Sequence, residues 1–398
     1  SEFIERIPVG PLALMPLDSI QPLGQKVDEY LSTWRTRRES DHKETIAFNG
    51  YQKDSYIVQA KVSRFGSGEA KANILETVRG VDLYLMVDVM NYSQTYSLFG
   101  QVNHMSPDDH YSDLKRVIAA TTGKAKRINV IMPFMYESRQ HKRTGRESLD
   151  CAMMLQELHA MGVENFITFD AHDPRVMNAI PQDSFDNISC SYQFIKAILA
   201  HVEDLDIDKN HMMIISPDEG GMSRAIYYAN VLGIDMGMFY KRRDYSKVVN
   251  GRNPIVAHEF LGADVEGKDV FIIDDMISSG ESLIDTAKEL KERKARRVFA
   301  CCTFGLFTSG FNKFDQAYAN GTLNAVFTTN LIYQQPELLT KPWYVSVDMA
   351  KYIALIIDNL NHDMSISTIL DSSQKINDKV AAYRIHREEM TQQMELPL

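Results

Sequence analysis

The sequence is poor in cysteine, with four in 398 residues, and none of them has the spacing of a CxxC pair. Their number and spacing favour reduced, buried thiols in a cytosolic protein. Basic residues are also outnumbered, because 43 lysines and arginines stand against 53 aspartates and glutamates and leave a net charge of −10. A general basic surface is therefore missing, and we predict no binding of nucleic acid or of an anionic membrane.

Long apolar runs are missing as well. No stretch approaches the roughly 18 residues of a membrane span, and no signal peptide opens the chain. We therefore expect a cytoplasmic protein without a membrane partner. The composition, with 44% apolar and 24% charged residues, is ordinary for globular domains. At roughly 100–200 residues per domain, the length of the chain predicts two or three domains.

Predicted strands and helices alternate along most of the chain. In the first half, after a helix at 17–40, strands are predicted at 55–63, 81–89, 127–135 and 164–172, and helices at 109–122 and 148–162. In the second half, strands are predicted at 211–218, 235–243, 269–276, 297–305 and 324–330, and helices at 191–203, 223–233 and 281–295. This alternation predicts an α/β fold with parallel sheets. We predict domains at 1–187 and 188–398, with a polar tail from about residue 371 that is at most a surface helix.

The strongest local signal is the segment VFIIDDMISSGESLIDTAKEL. Its apolar strand delivers Asp274 and Asp275 to the carboxyl end, where open α/β sheets bind ligands. A short turn then opens a helix and directs backbone N–H groups and hydroxyls at an anion; it consists of Ser278, Ser279, Gly280, Glu281 and Ser282. The two carboxylates suit ribose hydroxyls or a hard metal ion. The alternative is an acidic, serine-capped helix start without a ligand.

This segment resembles the phosphoribosyl-pyrophosphate (PRPP) loop of type I phosphoribosyltransferase-fold proteins. Further segments resemble those of one family, the ribose-phosphate pyrophosphokinases or PRPP synthetases, and lie at 64–86, 131–162, 167–176, 214–225 and 240–246. The similarities follow the order of that family from about residue 21 to about residue 370.

The resemblance implies two tandem type I phosphoribosyltransferase-like α/β domains, with parallel central sheets flanked by helices and related by pseudo-symmetry. It implies transfer of the β,γ-diphosphoryl group of ATP to the C1 hydroxyl of ribose 5-phosphate, which gives PRPP and AMP. It also implies Mg²⁺ as the cofactor and a cytoplasmic homo-oligomer built from dimers, up to a hexamer.

Roles in ATP binding come from the same resemblance. The residues implied to contact ATP are Phe65, Ser67, Glu69, Arg139, Gln140 and His172. In that family, the aromatic residue at the position of Phe65 stacks on adenine across a subunit interface. Without the resemblance, Phe65 is equally well interpreted as a core aromatic. Arg139 and Gln140 read alone form a solvated loop, although a guanidinium and an amide suit polyphosphate and adenine edges.

The metal ligands implied by the family are His172 and Asp218. Read alone, a strand-end histidine such as His172 is more often structural, and imidazole is an unusual ligand for so hard an ion. Asp218 lies in a Pro-Asp-Glu-Gly-Gly turn between a strand and a helix. Without the resemblance, this segment is either an anion- or metal-facing turn or simply a tight turn.

The family places ribose 5-phosphate at Asp274, Asp275 and the turn from Ser278 to Ser282. It assigns stabilisation of the transition state to the positions of Lys241 and Arg243, which follow a predicted strand. Cations at a strand end suit the charge that develops in phosphoryl transfer. The alternative interpretation of this basic cluster is a solvated face.

Four residues depart from the family pattern. Ser278 replaces an acid and Glu281 a glycine in the phosphate turn, His141 replaces the aspartate after Arg-Gln, and Phe304 replaces a histidine. Two other functions stay open: a PRPP-consuming phosphoribosyltransferase, which needs only one such domain, and a non-catalytic regulatory homologue. The chain retains the family's residues at Lys241, Arg243 and His172 and both acids of the loop, Asp274 and Asp275, which argues against the regulatory homologue.

Overall fold

The computed structural model describes residues 6–38, 50–249 and 253–395. The chain forms two compact units. The N-terminal unit comprises Ser1–Ser189, Asn330–Tyr333 and Asp348–Leu370, and the C-terminal unit comprises Cys190–Thr329, Gln334–Val347 and Asp371–Leu398. The predicted division between residues 187 and 188 differs from this arrangement, because the two later segments return to the N-terminal unit.

A parallel five-stranded sheet forms the centre of the N-terminal unit. In spatial order its strands are β1 (Leu12–Pro16), β4 (Asp82–Met86), β7 (Arg127–Ile131), β8 (Val163–Phe169) and β9 (Ser184–Ile188). The strands β1 and β4 are buried along their whole length, as expected for strands covered on both faces. The sheet and its surrounding helices confirm the predicted α/β class for this unit.

The described residues of the N-terminal unit form the helices α1 (Gln21–Arg37), α2 (Pro107–Thr121), α3 (Asp150–Ala160), α8 (Ala350–Asn361) and α9 (Ser367–Leu370). Arg35 of α1 is buried and bonds to Asp358 and Asn361 of α8 at 2.8–3.2 Å. A buried arginine is costly without such partners, so this contact fixes α8 in the N-terminal unit.

Two β-hairpins extend this unit. The first joins β2 (Ala60–Arg64) to β3 (Ala70–Ile74), and the second joins β5 (Thr95–Leu98) to β6 (Gln101–His104). The predicted strand at 55–63 is only partly confirmed, because residues before β2 form a single bridge, between Ile57 and Leu14. The second hairpin was not predicted.

A seven-stranded sheet forms the centre of the C-terminal unit. In spatial order its strands are β12 (Ile255–Leu261), β11 (Asp235–Arg243), β10 (Met212–Ser216), β13 (Asp269–Ile277), β14 (Arg297–Gly305), β15 (Ala325–Thr329) and β16 (Tyr344–Val347). All neighbours are parallel except β11 and β12. The predicted strands at 235–243 and 297–305 are confirmed to the residue.

The helices of the C-terminal unit are α4 (Ser191–His201), α5 (Met222–Leu232), α6 (Glu281–Glu292), α7 (Asn312–Ala319) and α10 (Ser373–Glu395). The predicted polar tail is thus a long helix, and it packs against α4 and α5. The hydroxyl of Tyr383 on α10 donates to the carbonyl of Val202 at 2.6 Å. In the described part of the chain, no helix is long and apolar enough to cross a membrane.

None of the four cysteines forms a disulfide and all four are buried, which confirms the prediction of reduced, buried thiols. Burial raises the pKa of Cys151 to about 12, and it raises the pKa of Cys301 and Cys302 further. Because a thiolate is the reactive form of cysteine, burial makes Cys151, Cys301 and Cys302 poor nucleophiles.

Candidate functional site

The sheet of the C-terminal unit brings most of the predicted residues to one edge. Strands β11, β10 and β13 are adjacent and parallel. Their carboxyl ends therefore lie side by side, where α/β sheets bind ligands. Lys241 and Arg243 end β11, Asp218 follows β10, and Asp274 and Asp275 lie near the end of β13.

The acidic residues at this edge influence one another. Burial raises the pKa of Asp274 well above its usual value, and the negative charges of Asp275 and Asp218 raise it further. The backbone N–H of Asp275 donates to Asp274 Oδ1 at 2.8 Å. Like charges this close favour a bound cation or hydroxyl donor, because either one relieves the repulsion.

The turn around Asp218 is locally well defined. Asp218 is exposed, its Oδ1 accepts a hydrogen bond from the N–H of Gly221 at 3.0 Å, and its carbonyl accepts one from Ser216 Oγ at 2.6 Å. These bonds are those of a tight turn that precedes α5. Because carboxylate oxygens have further lone pairs, this turn leaves Asp218 able to bind a metal ion.

The donor set at this edge suits Mg²⁺. Mg²⁺ is usually bound by one or two carboxylates, with substrate phosphates and waters completing its coordination. Asp274, Asp275 and Asp218 supply such carboxylates. Among the residues that the structure describes, no group of three or more His, Cys, Asp or Glu is placed to hold a metal ion. A cation here would therefore depend on oxygen atoms of the substrates.

The phosphate turn, defined as residues 278–282, leads from β13 into α6. Gly280 has φ +88°, and a Cβ atom there would lie 2.3 Å from the ring of Phe314. Only glycine satisfies both the backbone conformation and the close approach. The first N–H groups of α6 consequently face the turn, in the arrangement that binds phosphate groups.

Glu281 is the charged member of the phosphate turn, and its side chain contacts α7. Its Oε1 accepts a hydrogen bond from Nζ of Lys313 on α7. That bond and the positive charge of Lys313 lower the pKa of Glu281. Sequence reasoning missed Lys313, because it lies 32 residues away and no motif marks it.

The basic residues of β11 have different partners. Arg242 pairs with Glu259 at 3.2 Å, and Arg243 donates to the carbonyl of Asn253 at 3.1 Å. Lys241 is exposed and lies opposite His258 in the ladder with β12. Within the described ranges, Lys241 forms no hydrogen bond or ion pair, so its ammonium group is available to a ligand. Residues 250–252 of the predicted loop lie outside the described part of the chain.

In the N-terminal unit, the loops after β7 and β8 carry three of the predicted ATP residues. These strands are adjacent and parallel, so Arg139 and Gln140 after β7 lie at the same edge as His172 after β8. Arg139 and His172 are exposed. Gln140 Nε2 donates to the carbonyl of Ser148 at 2.7 Å.

His141, one of the departures from the family pattern, contacts His172. Their ring centroids lie 5.3 Å apart, with the edge of one ring towards the face of the other. His141 Nε2 lies 3.3 Å from Asp173 Oδ2. Hydrogen bonds from Arg175 lower the pKa of Asp173 to about 2, with a smaller contribution from His141. Another departure from the family pattern, Phe304, is a buried residue of β14.

The remaining predicted ATP residues form the turn of the β2–β3 hairpin. The N–H of Phe65 donates to the carbonyl of Glu69 at 2.8 Å, and Ser67 Oγ donates to Glu69 Oε2 at 3.0 Å. The side chain of Phe65 is 58% exposed. The alternative interpretation of Phe65 as a core aromatic is therefore wrong.

The chain has two α/β units, and the second carries an acidic strand end and a phosphate turn that requires glycine. These features define a protein of the phosphoribosyltransferase fold class. Comparison with family models identifies one family within this class. The N-terminal domain of ribose phosphate pyrophosphokinase matches residues 12–162, and the phosphoribosyl transferase domain matches residues 181–339. The chain belongs to the ribose-phosphate pyrophosphokinase family.

Comparison with individual proteins supports membership of this family. The chain is 29% identical over 316 residues to the ribose-phosphate pyrophosphokinase of Vibrio parahaemolyticus, a match that covers 78% of this chain and 91% of the relative. The Vibrio cholerae ribose-phosphate pyrophosphokinase is 29% identical over 318 residues, with the same coverage. The crystal structure of phosphoribosylpyrophosphate synthetase from Mycobacterium smegmatis has a TM-score of 0.69 at 21% identity and covers 88% of this chain and 99% of its own, which shows the shared fold.

Proposed function

We propose that this chain is a ribose-phosphate diphosphokinase, which transfers the β,γ-diphosphoryl group of ATP to ribose 5-phosphate. The observation that carries this proposal is the arrangement at one edge of the C-terminal sheet. Cations on β11, carboxylates after β10 and on β13, and the phosphate turn all lie at adjacent strand ends. Membership of the pyrophosphokinase family supports the same reaction.

Ribose 5-phosphate is the substrate that we assign to β13 and the phosphate turn. The 5-phosphate accepts hydrogen bonds from N–H groups and hydroxyls of residues 278–282, and the sugar hydroxyls donate to Asp274 and Asp275. This assignment uses each group according to its charge, since the start of a helix favours anions and carboxylates accept hydrogen bonds.

Lys241 and Arg243 are the catalytic residues in this proposal. The C1 oxygen bonds to the β-phosphorus of ATP, and the bond from that phosphorus to the oxygen bridging the α-phosphate breaks. AMP leaves with the bridging oxygen, and the attacking hydroxyl releases its proton. Negative charge is spread over the transferring group in the transition state, and cations placed in advance stabilise it.

ATP is the substrate that we assign to Phe65, Ser67, Glu69, Arg139, Gln140 and His172. Phe65 presents an exposed face on which adenine stacks, as aromatic pairs prefer, and we propose that a second copy of the chain receives it in a homo-oligomer. Asp218 and His172 are each assigned as ligands of Mg²⁺, which would also bind ATP phosphates and neutralise their charge.

The two alternative functions explain fewer observations. A phosphoribosyltransferase that consumes PRPP needs a single domain of this class and gives no role to the N-terminal residues. A non-catalytic homologue has no use for an exposed lysine and two carboxylates at one sheet edge. His141 and Glu281 are the residues that favour the non-catalytic homologue.

One assay decides among these functions. The purified full chain is incubated with Mg²⁺, ATP and ribose 5-phosphate, and AMP and PRPP are quantified together. We expect equal amounts of both products, with no product when ribose 5-phosphate is omitted. Absence of both products under conditions in which a Vibrio relative is active would contradict the proposal and favour the regulatory homologue.

A further inference from the structure

The ion pair between Glu281 and Lys313 joins the phosphate turn to the neighbouring helix α7. Both side chains are more than half exposed, at 61% and 53%. An exposed pair of this kind contributes little to stability. Its position, at the first residue of α6 and beside the cradle of a phosphate group, suggests a role in ligand binding.

The position of Lys313 is fixed by its neighbours in α7. Phe314 lies against Gly280 of the phosphate turn and stacks on Trp343 with ring centroids 5.2 Å apart. Trp343 in turn donates from Nε1 to Asp315 Oδ1 at 2.8 Å. Helix α7 is therefore anchored directly behind the turn, and Lys313 stays within reach of Glu281.

The charges at the phosphate turn explain why a cation such as Lys313 is needed beside Glu281. A carboxylate near a phosphate dianion repels it, and water and salt only partly screen this repulsion. Glu281 introduces one negative charge at the first turn of α6, and Lys313 supplies one positive charge in contact with it. The pair restores the local net charge that an uncharged residue at position 281 would give.

We infer that Lys313 is a positioning residue for ribose 5-phosphate: it neutralises and holds aside the Glu281 carboxylate, so that the phosphate turn accepts a phosphate dianion. This inference rests on the proposed function of the turn. It assigns to Lys313 an effect on the binding of the sugar phosphate and no effect on the chemical step.

The test is a charge cycle with Lys313→Gln, Glu281→Gln and the double variant, assayed at low salt. Lys313→Gln should raise the KM for ribose 5-phosphate roughly threefold to tenfold, because it leaves an unbalanced carboxylate beside the phosphate. Glu281→Gln should lower that KM by about threefold, and the double variant should return to within about twofold of the wild type. The value of kcat and the KM for ATP should not change.

Three controls separate charge from structure. Lys313→Arg keeps the charge and should behave like the wild type. Lys209→Gln removes the same charge from the exposed pair of Lys209 and Asp235, 3.8 Å apart at the amino ends of β10 and β11, and should leave all constants unchanged. In about 1 M salt, where charges are screened beyond about 3 Å, the effect of Lys313→Gln should shrink below about twofold.

Two results would overturn the inference: an unchanged KM for ribose 5-phosphate in Lys313→Gln at low salt, or a double variant as impaired as Lys313→Gln. If the wild type forms no AMP, the proposed function fails first. Calorimetric titration with ribose 5-phosphate alone then tests the inference separately, because the dissociation constants of the variants should follow the same order without any turnover.

Discussion

The phosphate turn of the C-terminal unit and the β2–β3 turn of the N-terminal unit present their ligand-facing groups in opposite ways. The phosphate turn is backed by the ring of Phe314 and continues directly into α6, and its central Gly280 is buried. The β2–β3 turn belongs to a hairpin outside the central sheet, and its Phe65 is exposed. One turn offers fixed backbone donors, and the other offers an apolar face.

This difference predicts different consequences for substitutions. Fixed donors and cations act where charge develops or where a dianion binds, so changes at the C-terminal sheet edge should affect turnover or binding of the sugar phosphate. An exposed aromatic face contributes stacking and buried area, so changes at the β2–β3 turn should affect only nucleotide binding.

Lys241→Ala should have the largest effect, a decrease of kcat by roughly 10²–10⁴ with a modest change in the KM for ATP, because the lysine acts on charge in the transition state. Steady-state kinetics measures both constants. The matched control is Arg242→Ala, since Arg242 is the next residue and is paired with Glu259; its kcat should fall much less. Near-normal turnover in Lys241→Ala would remove the catalytic assignment.

Gly280→Ala should have the next largest effect. A non-glycine residue at positive φ costs roughly 1–3 kcal/mol, and the added Cβ atom also meets the ring of Phe314 at 2.3 Å. We expect a lower melting temperature and a KM for ribose 5-phosphate raised by about tenfold or more, since the turn must shift its N–H groups.

Gly233→Ala is the control for this strain. Gly233 has φ +69° at the end of α5, and a Cβ atom there meets no other atom within 4 Å. This variant should lose stability without any change in the KM for ribose 5-phosphate. If both variants behave alike, the phosphate turn is not the sugar-phosphate site.

The strands that carry this site could be predicted from the sequence for a physical reason. Parallel strands place their carboxyl ends at one edge, so long apolar strands such as β11 and β14 located the edge without any structure. The return of α8 to the N-terminal unit could not be predicted, because it depends on a buried contact between Arg35 and Asp358 that lie 323 residues apart.

Side-chain directions and short strands could not be predicted either, because they too depend on contacts between residues far apart in the sequence. The direction of Glu281 depends on Lys313, and two exposed charges 32 residues apart carry no periodic signal. The β5–β6 hairpin consists of two four-residue strands without buried positions. Its contacts, such as the hydrogen bond from the N–H of Phe99 to the carbonyl of Gly66, join residues far apart in the sequence and are invisible to local propensity.

Phe65→Ala should have a smaller effect that is confined to the nucleotide. Losing a stacking face is worth about 0.5–1.5 kcal/mol beyond the buried area, so the KM for ATP should rise by roughly twofold to tenfold. The KM for ribose 5-phosphate and kcat should stay unchanged. Phe65→Tyr keeps the ring and should restore the wild-type KM for ATP. An unchanged KM in Phe65→Ala would exclude stacking by this residue.

Leu98→Ala should have the smallest effect and shows whether the exposed turn is held in place before it binds. The N–H of Phe99 donates to the carbonyl of Gly66 at 2.8 Å, and Leu98 packs against Gly68. Removing that side chain loosens the β2–β3 turn, and binding must then order it, which weakens affinity. We expect the KM for ATP to rise by about twofold, less than in Phe65→Ala.

Val102→Ala on β6, where the side chain is 76% exposed, is the control and should change nothing. An increase in Leu98→Ala that persists in the Phe65→Ala background would mean that Leu98 acts independently of the aromatic face.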